Sequence, residues 1–93
     1  MTTTTDILEQ ACEVMGHARN PNMGFADVAA HYKTLIKMIG EVGSGYAGSM
    51  AGPVNDVIID RWGREGLNTV KTLAWSMIEE ESQQKGPTSE QNR

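Results

Sequence analysis

The chain has 93 residues, a formal net charge of −4 at pH 7 and one cysteine, Cys12. Its length is that of one small domain, which excludes a two-domain enzyme with a cleft between its halves. Its acidity argues against duplex nucleic acid as a partner. The lone cysteine excludes an intramolecular disulfide and a zinc cluster built from the cysteines of one chain.

The compartment follows from what the chain lacks. Residues 1–6 do not show the basic and then apolar layout of a signal peptide. No apolar run approaches the length of a membrane span. We therefore expect a cytoplasmic protein without a membrane partner.

The first predicted helix covers about residues 6–18. Asp6 is the expected N-cap, and Glu9 completes a pair similar to a capping box. Pro21 ends the helix because it disfavours helical backbone at the residue before it. Cys12 lies inside the apolar pattern and is expected to be a buried or half-buried hydrophobe. The stripe at helical spacing consists of Ile7, Leu8, Ala11, Val14, Met15 and Ala18.

The second predicted helix runs from near Gly24 to about Ile39. Asp27 in its first turn, and Lys33 and Lys37 in its later turns, match the polarity of the helix dipole. Its apolar stripe consists of Phe25, Val28, Ala29, Tyr32, Leu35, Ile36 and Ile39.

A glycine-rich stretch follows at residues 40–53 and holds five of the chain's ten glycines. As a loop, it would supply positive φ angles and let an anion approach the backbone. As a helix, it would place Ser44, Gly48 and Gly52 on one face, where small residues allow a second helix to pack closely. The sequence leaves both interpretations open.

Two more helices are predicted after this stretch. Pro53 suits the first turn of the third helix, where a missing N–H costs nothing. Gly63 and Gly66 interrupt the pattern, and Asn68 is a plausible N-cap for the fourth helix. The two apolar stripes consist of Val54, Val57, Ile58 and Trp62, and of Val70, Leu73, Ala74, Met77 and Ile78.

The predicted fold class is all-α, because no segment shows the alternation of a strand. We expect a small bundle of about four helices, arranged as two helical hairpins about the glycine-rich stretch. Residues 1–82 form a single domain in this prediction, and residues 83–93, which lack apolar side chains, form a disordered tail. The apolar stripes are thin for this length, which favours a core shared with a second copy or with a partner.

The leading hypothesis for function is a small, acidic, non-catalytic protein that acts by protein contact. Such a chain is typical of oligomeric accessory or inhibitory factors of the kind that phages and mobile elements encode. Its partners would be a second copy of itself and a host protein with a basic surface. The residues expected to make the contact are Tyr46, Met50, Trp75, Glu79 and Glu80.

An alternative hypothesis is a protein that binds or sequesters a nucleotide or another anion. Backbone N–H groups of the glycine-rich stretch would meet the anion, arginines would supply charge, and an aromatic ring would stack on the ligand. The residues of this alternative are Gly43, Gly45, Tyr46, Gly48, Arg61, Trp62 and Arg64.

A third hypothesis is an enzyme that cleaves nucleotides with Mg²⁺ held by carboxylates on facing helices. The candidate carboxylates are Glu9, Glu13, Asp56 and Asp60. His17 and His31 show no ligand spacing with each other or with Cys12, so they are expected to be a helix-end and a surface histidine. The leading hypothesis therefore includes no metal ion, no cofactor and no catalytic residue.

Overall fold

The computed structural model describes the backbone of residues 3–42 and 47–90, and the side chains of residues 3–42 and 51–82. Three helices follow one another, α1 (Thr4–Arg19), α2 (Phe25–Val42) and α3 (Ala47–Glu90). The described residues contain no strand, so the all-α class is confirmed. None of the helices in these ranges is both long and apolar enough to cross a membrane.

The predicted count of about four helices is not confirmed, because the region expected to hold two helices forms the single, kinked helix α3. The kink lies at Gly63, whose backbone has φ 80° and ψ 179°, a conformation that is essentially restricted to glycine. It separates an N-terminal arm, residues 47–62, from a C-terminal arm, residues 64–90. The interruption that the glycines predicted is therefore present, as one non-helical residue between two helical arms.

Gly66 completes the kink by allowing a close contact. A Cβ atom on Gly66 would lie 2.1 Å from Cβ of Trp62 and 3.5 Å from Cε1 of Phe25. Since real Cβ atoms do not approach carbon this closely, only glycine fits where the two arms of α3 meet.

Helix α1 begins with a capping box formed by Thr3 and Asp6. The Asp6 N–H donates to Oγ1 of Thr3 at 3.1 Å, and the Thr3 N–H donates to Oδ2 of Asp6 at 3.0 Å. The prediction of Asp6 as N-cap was wrong: the hydroxyl of Thr3 caps the helix, and the acidic side chain three positions later satisfies the N–H of the cap.

Helix α2 starts where the sequence predicted and ends later. The Gly24 N–H donates to Oδ2 of Asp27 at 3.1 Å, which fixes the first turn. The helix then continues through Gly40 to Val42, into the glycine-rich stretch. Residues 43–46 lie outside the described residues, and the helical interpretation of the stretch holds on both sides of them.

Pro53 was predicted to lie in the first turn of a helix. This was wrong, because α3 already begins at Ala47. Within a helix, proline cannot donate the usual i→i−4 hydrogen bond, so this part of α3 lacks one of its regular backbone bonds. The tail prediction for residues 83–93 stays a prediction: the backbone of α3 is assigned to Glu90, and side chains are described in α3 only from Ala51 to Ser82.

The core lies where the three helices meet, and each helix contributes the stripe that the sequence predicted. Phe25 of the second predicted stripe is an exception, since it is 37% exposed. On α1, Leu8 is 54% exposed, and Cys12 is exposed instead of buried or half-buried. Both lie on the outer side of α1, since the residues beside them fill the inner side. The buried side chains are Ile7, Ala11, Val14, Ala18, Val28, Ala29, Tyr32, Leu35, Val54, Ile58, Val70 and Ala74.

Tyr32 is the polar member of this core. Its hydroxyl donates to Oδ1 of Asn55 at 2.7 Å and so links α2 to the N-terminal arm of α3. Burial raises the pKa of Tyr32, and the bond to Asn55 acts in the opposite direction. The hydroxyl therefore stays protonated and supplies a buried, satisfied hydrogen bond.

Candidate functional site

An apolar groove opens between α2 and the two arms of α3, and we call it the Trp75 groove. It has a volume of about 580 Å³. Carbon-rich side chains form most of its wall, with two lysines as its charged members. The groove is lined by Tyr32, Ile36, Lys37, Ile39, Gly40, Ala51, Lys71, Trp75 and Ile78.

Trp75 stands at the wall of this groove with 53% of its surface exposed. It lies off the buried stripe of α3, because the neighbouring Ala74 points into the core instead. A tryptophan placed in this way offers a large apolar surface to another molecule at a small cost in conformational entropy.

Two opposite charges flank Trp75 along the same helix. Lys71 precedes it by four residues and Glu79 follows it by four, and both are exposed. At this spacing the three side chains lie on neighbouring turns of one helical surface. The next residue, Glu80, is also exposed.

One end of the groove is fixed by an ion-pair cluster. Glu81 on α3 accepts from Nζ of Lys33 at 2.5 Å and from Nζ of Lys37 at 2.8 Å. These two hydrogen bonds, from Lys33 first and then Lys37, lower the pKa of Glu81 from 4.5 to about 2. The cluster ties the C-terminal arm of α3 to α2, and it includes Lys37 of the groove wall.

The other two predicted contact residues, Tyr46 and Met50, belong to the glycine-rich stretch. Tyr46 lies outside the described residues, and Met50 belongs to α3 with an undescribed side chain. Ala51, the residue after Met50, lines the Trp75 groove. Two residues of the glycine-rich stretch, Gly40 and Ala51, therefore line the groove. Of the predicted contact residues with a described side chain, Trp75 lines it as well.

Arg61, proposed for the anion alternative, has its guanidinium occupied by backbone carbonyls. It donates to the oxygens of Ala18 at 3.1 Å, Asn20 at 2.9 Å and Pro21 at 3.4 Å. These are carbonyls at the C-terminal end of α1, where a cation opposes the partial negative charge of the dipole. Arg61 acts as a cap for α1, linking it to α3.

Trp62 is likewise committed to packing. Its ring lies 4.5 Å from that of Phe25, centroid to centroid, and 4.1 Å from the Arg61 guanidinium carbon. Arg64 is exposed. Of the glycines in the anion alternative, Gly48 lies in α3, and Gly43 and Gly45 lie outside the described residues together with Tyr46.

The four carboxylates of the Mg²⁺ hypothesis are not brought together. Among the described side chains, the group with metal-ligand proximity consists of Glu13, His17 and His31. The rings of His17 and His31 stack with their centroids 3.8 Å apart. His17 lies in the last turn of α1, as expected. The two histidines lack ligand spacing in the sequence, but the α1–α2 hairpin places them side by side.

The spacing of Glu13, His17 and His31 in the sequence indicates that they can meet. Glu13 and His17 are four apart and share a face of α1. Positions 13 and 31 are equally distant from position 22 in the turn between α1 and α2, so an antiparallel hairpin brings them opposite each other. The pairing is visible once the turn is accepted as the centre of a hairpin.

Comparisons of the chain with models of protein families, with curated proteins and with solved structures gave no match.

Proposed function

We propose that the protein is a non-catalytic contact protein that forms a homodimer through the Trp75 groove. The observation that carries this proposal is a half-exposed tryptophan on the wall of an apolar groove of about 580 Å³. Large apolar surfaces that remain open on a small domain mark sites of association. Aromatic anchors in such sites supply most of the binding energy.

The charges beside Trp75 support a second copy as the occupant. A symmetric dimer has a two-fold axis, and the same surface of each subunit meets itself in opposite directions. With Trp75 near the axis, Lys71 of one copy faces Glu79 of the other, and the same pair forms a second time. The arrangement of cation, aromatic ring and anion along α3 is therefore complementary to its own reverse.

The energy of this contact comes from the tryptophan, and the ion pairs set its direction. Burying the exposed part of Trp75 and the groove removes apolar surface from water. Each Å² of this surface contributes about 25 cal/mol of favourable free energy. Exposed ion pairs contribute about 0.2–1 kcal/mol each. They disfavour the parallel arrangement, since like charges would then face each other.

The wider role belongs to the same proposal. We infer a cytoplasmic accessory or inhibitory protein of the type that phages and mobile elements encode, which acts as a dimer. Glu80 is exposed beside the proposed contact, and a partner with a basic surface would meet it there. The chain's net charge of −4 supports such a partner.

Sedimentation velocity over a range of concentrations tests the proposal. We expect a reversible dimer for the native chain, and a dissociation constant raised at least about 30-fold by Trp75→Ala, the effect of losing a hot-spot residue. Leu8→Ala is the matched control, since Leu8 is 54% exposed on α1, away from the groove. It should leave the dissociation constant unchanged.

Two results would contradict the proposal. One is a native chain that remains monomeric at every concentration, including a monomer that captures a different protein. The other is a dimer that Trp75→Ala and Leu8→Ala weaken equally, which would place the contact elsewhere.

A further inference from the structure

Away from the Trp75 groove, Glu13, His17 and His31 bring three metal-binding side chains together across α1 and α2. Each offers one ligand atom, and these atoms all lie within 4.8 Å of one another. Zinc bonds of 2.0–2.1 Å in a tetrahedral site require ligand atoms about 3.3 Å apart. To close the group around one ion, the stacked imidazoles must rotate so that an in-plane lone pair of each points at it.

The distance between Glu13 and His31 is one that a shared metal ion can bridge. Oε1 of Glu13 and Nδ1 of His31 are 3.7 Å apart. That separation is too long for a good hydrogen bond, and it is close to the separation of two ligands on the same tetrahedral ion.

The hydrogen bond of His17 prepares its ring for a metal ion. Nδ1 of His17 lies 2.8 Å from the backbone oxygen of Glu13. Because a carbonyl oxygen can only accept, Nδ1 carries the proton, and Nε2 is the nitrogen whose lone pair can bind a cation. Metal-binding histidines commonly donate their other N–H to a backbone carbonyl, which fixes the tautomer and the orientation of the ring.

The backbone beneath the group is held in place from both helices. Gln10 of α1 donates through Nε2 to the backbone oxygen of His31 at 2.9 Å. Val14 and Ala18, which follow Glu13 and His17 in sequence, are fully buried, and so is Val28, about one helical turn before His31. His17 and His31 are half-buried and Glu13 is exposed, so the group remains open to ions from solution.

We propose that Glu13, His17 and His31 form a binding site for a divalent transition-metal ion, with Zn²⁺ as the ion of choice. Two imidazoles and one carboxylate suit zinc and its neighbours, whereas Mg²⁺ and Ca²⁺ prefer oxygen ligands. Three protein ligands leave a fourth position for water or for a group from another molecule. An ion bound here joins α1 to α2 through residues that do not line the Trp75 groove.

Isothermal titration calorimetry with ZnCl₂ at neutral pH tests the site, with Cys12→Ser as the reference chain. This substitution removes the exposed thiol one residue from Glu13, so that any zinc bound is held by other groups. We expect one ion per chain for the native and reference chains alike. Adding His17→Gln or His31→Gln should weaken binding at least about tenfold, as for loss of metal-site residues.

Glu13→Gln supplies the sharper comparison, because Glu9→Gln makes the same change of charge one turn earlier on the same helix. The first should weaken zinc binding, and the second should leave it unchanged. Circular dichroism checks that each variant keeps its helix content. In the reference chain, proton NMR should show zinc shifting or broadening the signals of both imidazoles, a readout that needs no histidine variant.

Three outcomes would overturn the site: no heat and no change in the imidazole signals on adding zinc, binding that Cys12→Ser abolishes, or binding that survives loss of both histidines. Because the groove and this site share no residue, failure of one proposal leaves the other standing, and sedimentation without zinc separates the two.

Discussion

At the scale of single residues, the bend in α3 depends on two glycines for different reasons. Gly63 has φ 80° and ψ 179°, a conformation that strains any residue with a Cβ atom. Gly66 has a helical backbone, and here the obstacle is contact, with Cβ of Trp62 2.1 Å from the position of an added Cβ.

We predict that Gly63→Ala lowers the free energy of unfolding by about 1–3 kcal/mol, the cost of holding alanine in that conformation. Gly16→Ala is the matched control. Gly16 lies in α1, and nothing comes within 4 Å of an added Cβ there. Alanine at position 16 should stabilise the protein by up to about 1 kcal/mol. Urea unfolding of both variants checks the two signs, and equal effects would contradict this account of the bend.

Arg61 carries the second prediction at this scale. Its guanidinium donates to three carbonyls at the end of α1, and hydrogen bonds made by charged groups contribute more than neutral ones. We expect Arg61→Gln to lower the free energy of unfolding by about 1–3 kcal/mol, whereas Arg64→Gln, at an exposed position, should change it by less than about 0.5 kcal/mol. A larger loss from Arg64→Gln would show that Arg61 does not cap α1.

Single residues also show where local patterns mislead. The pattern of Asp6 and Glu9 indicated a helix start one turn too late, because the true cap, Thr3, lies in a run of four threonines that marks no one of them as the cap. Cys12 matched the apolar composition of its helix and is nevertheless exposed. An apolar residue type alone does not show whether a side chain lies on the buried or the exposed face of its helix.

At the scale of elements, the apolar periodicity was sufficient to predict α1, α2 and the face that each buries. The glycines also predicted the interruption between the last two helical segments, but not that a single residue, Gly63, would form it with helix on both sides. The link between α2 and α3 through Lys33, Lys37 and Glu81 was also out of reach. The lysines were explained by the helix dipole, and their partner lies over forty residues away in sequence.

This link predicts a dependence of stability on pH. The folded protein lowers the pKa of Glu81 from 4.5 to about 2, so the ionised carboxylate favours the folded state. Its contribution is complete above about pH 4.5 and is lost as the pH falls toward 2. Glu81→Gln should therefore destabilise the protein at neutral pH, with the difference from the native chain shrinking through this range.

The measurement is the free energy of unfolding in urea for both chains, from neutral pH into acid. Glu80→Gln is the control, because it removes the neighbouring charge outside the pair with the lysines. The interpretation fails if the Glu81→Gln difference is constant with pH, or if Glu80→Gln reproduces it.

At the scale of the whole molecule, the two proposed sites arise from the packing of helices. Trp75 could be identified as an off-stripe residue from the sequence alone, and the groove beside it needs residues of α2 and both arms of α3. The histidines meet because of the hairpin between α1 and α2. Residue types and helix faces can thus be predicted locally, whereas sites shared between helices depend on how the helices are arranged.

The central claim is that two copies meet in opposite directions about Trp75, and a charge exchange measured by sedimentation velocity tests it most directly. Lys71→Glu and Glu79→Lys each put like charges in both proposed pairs, so each should weaken the dimer by about tenfold. They move the net charge in opposite directions, so a general charge effect would not weaken both. The double variant restores both pairs and should recover the native dissociation constant; a double variant as weak as either single one, or weaker, would contradict the account.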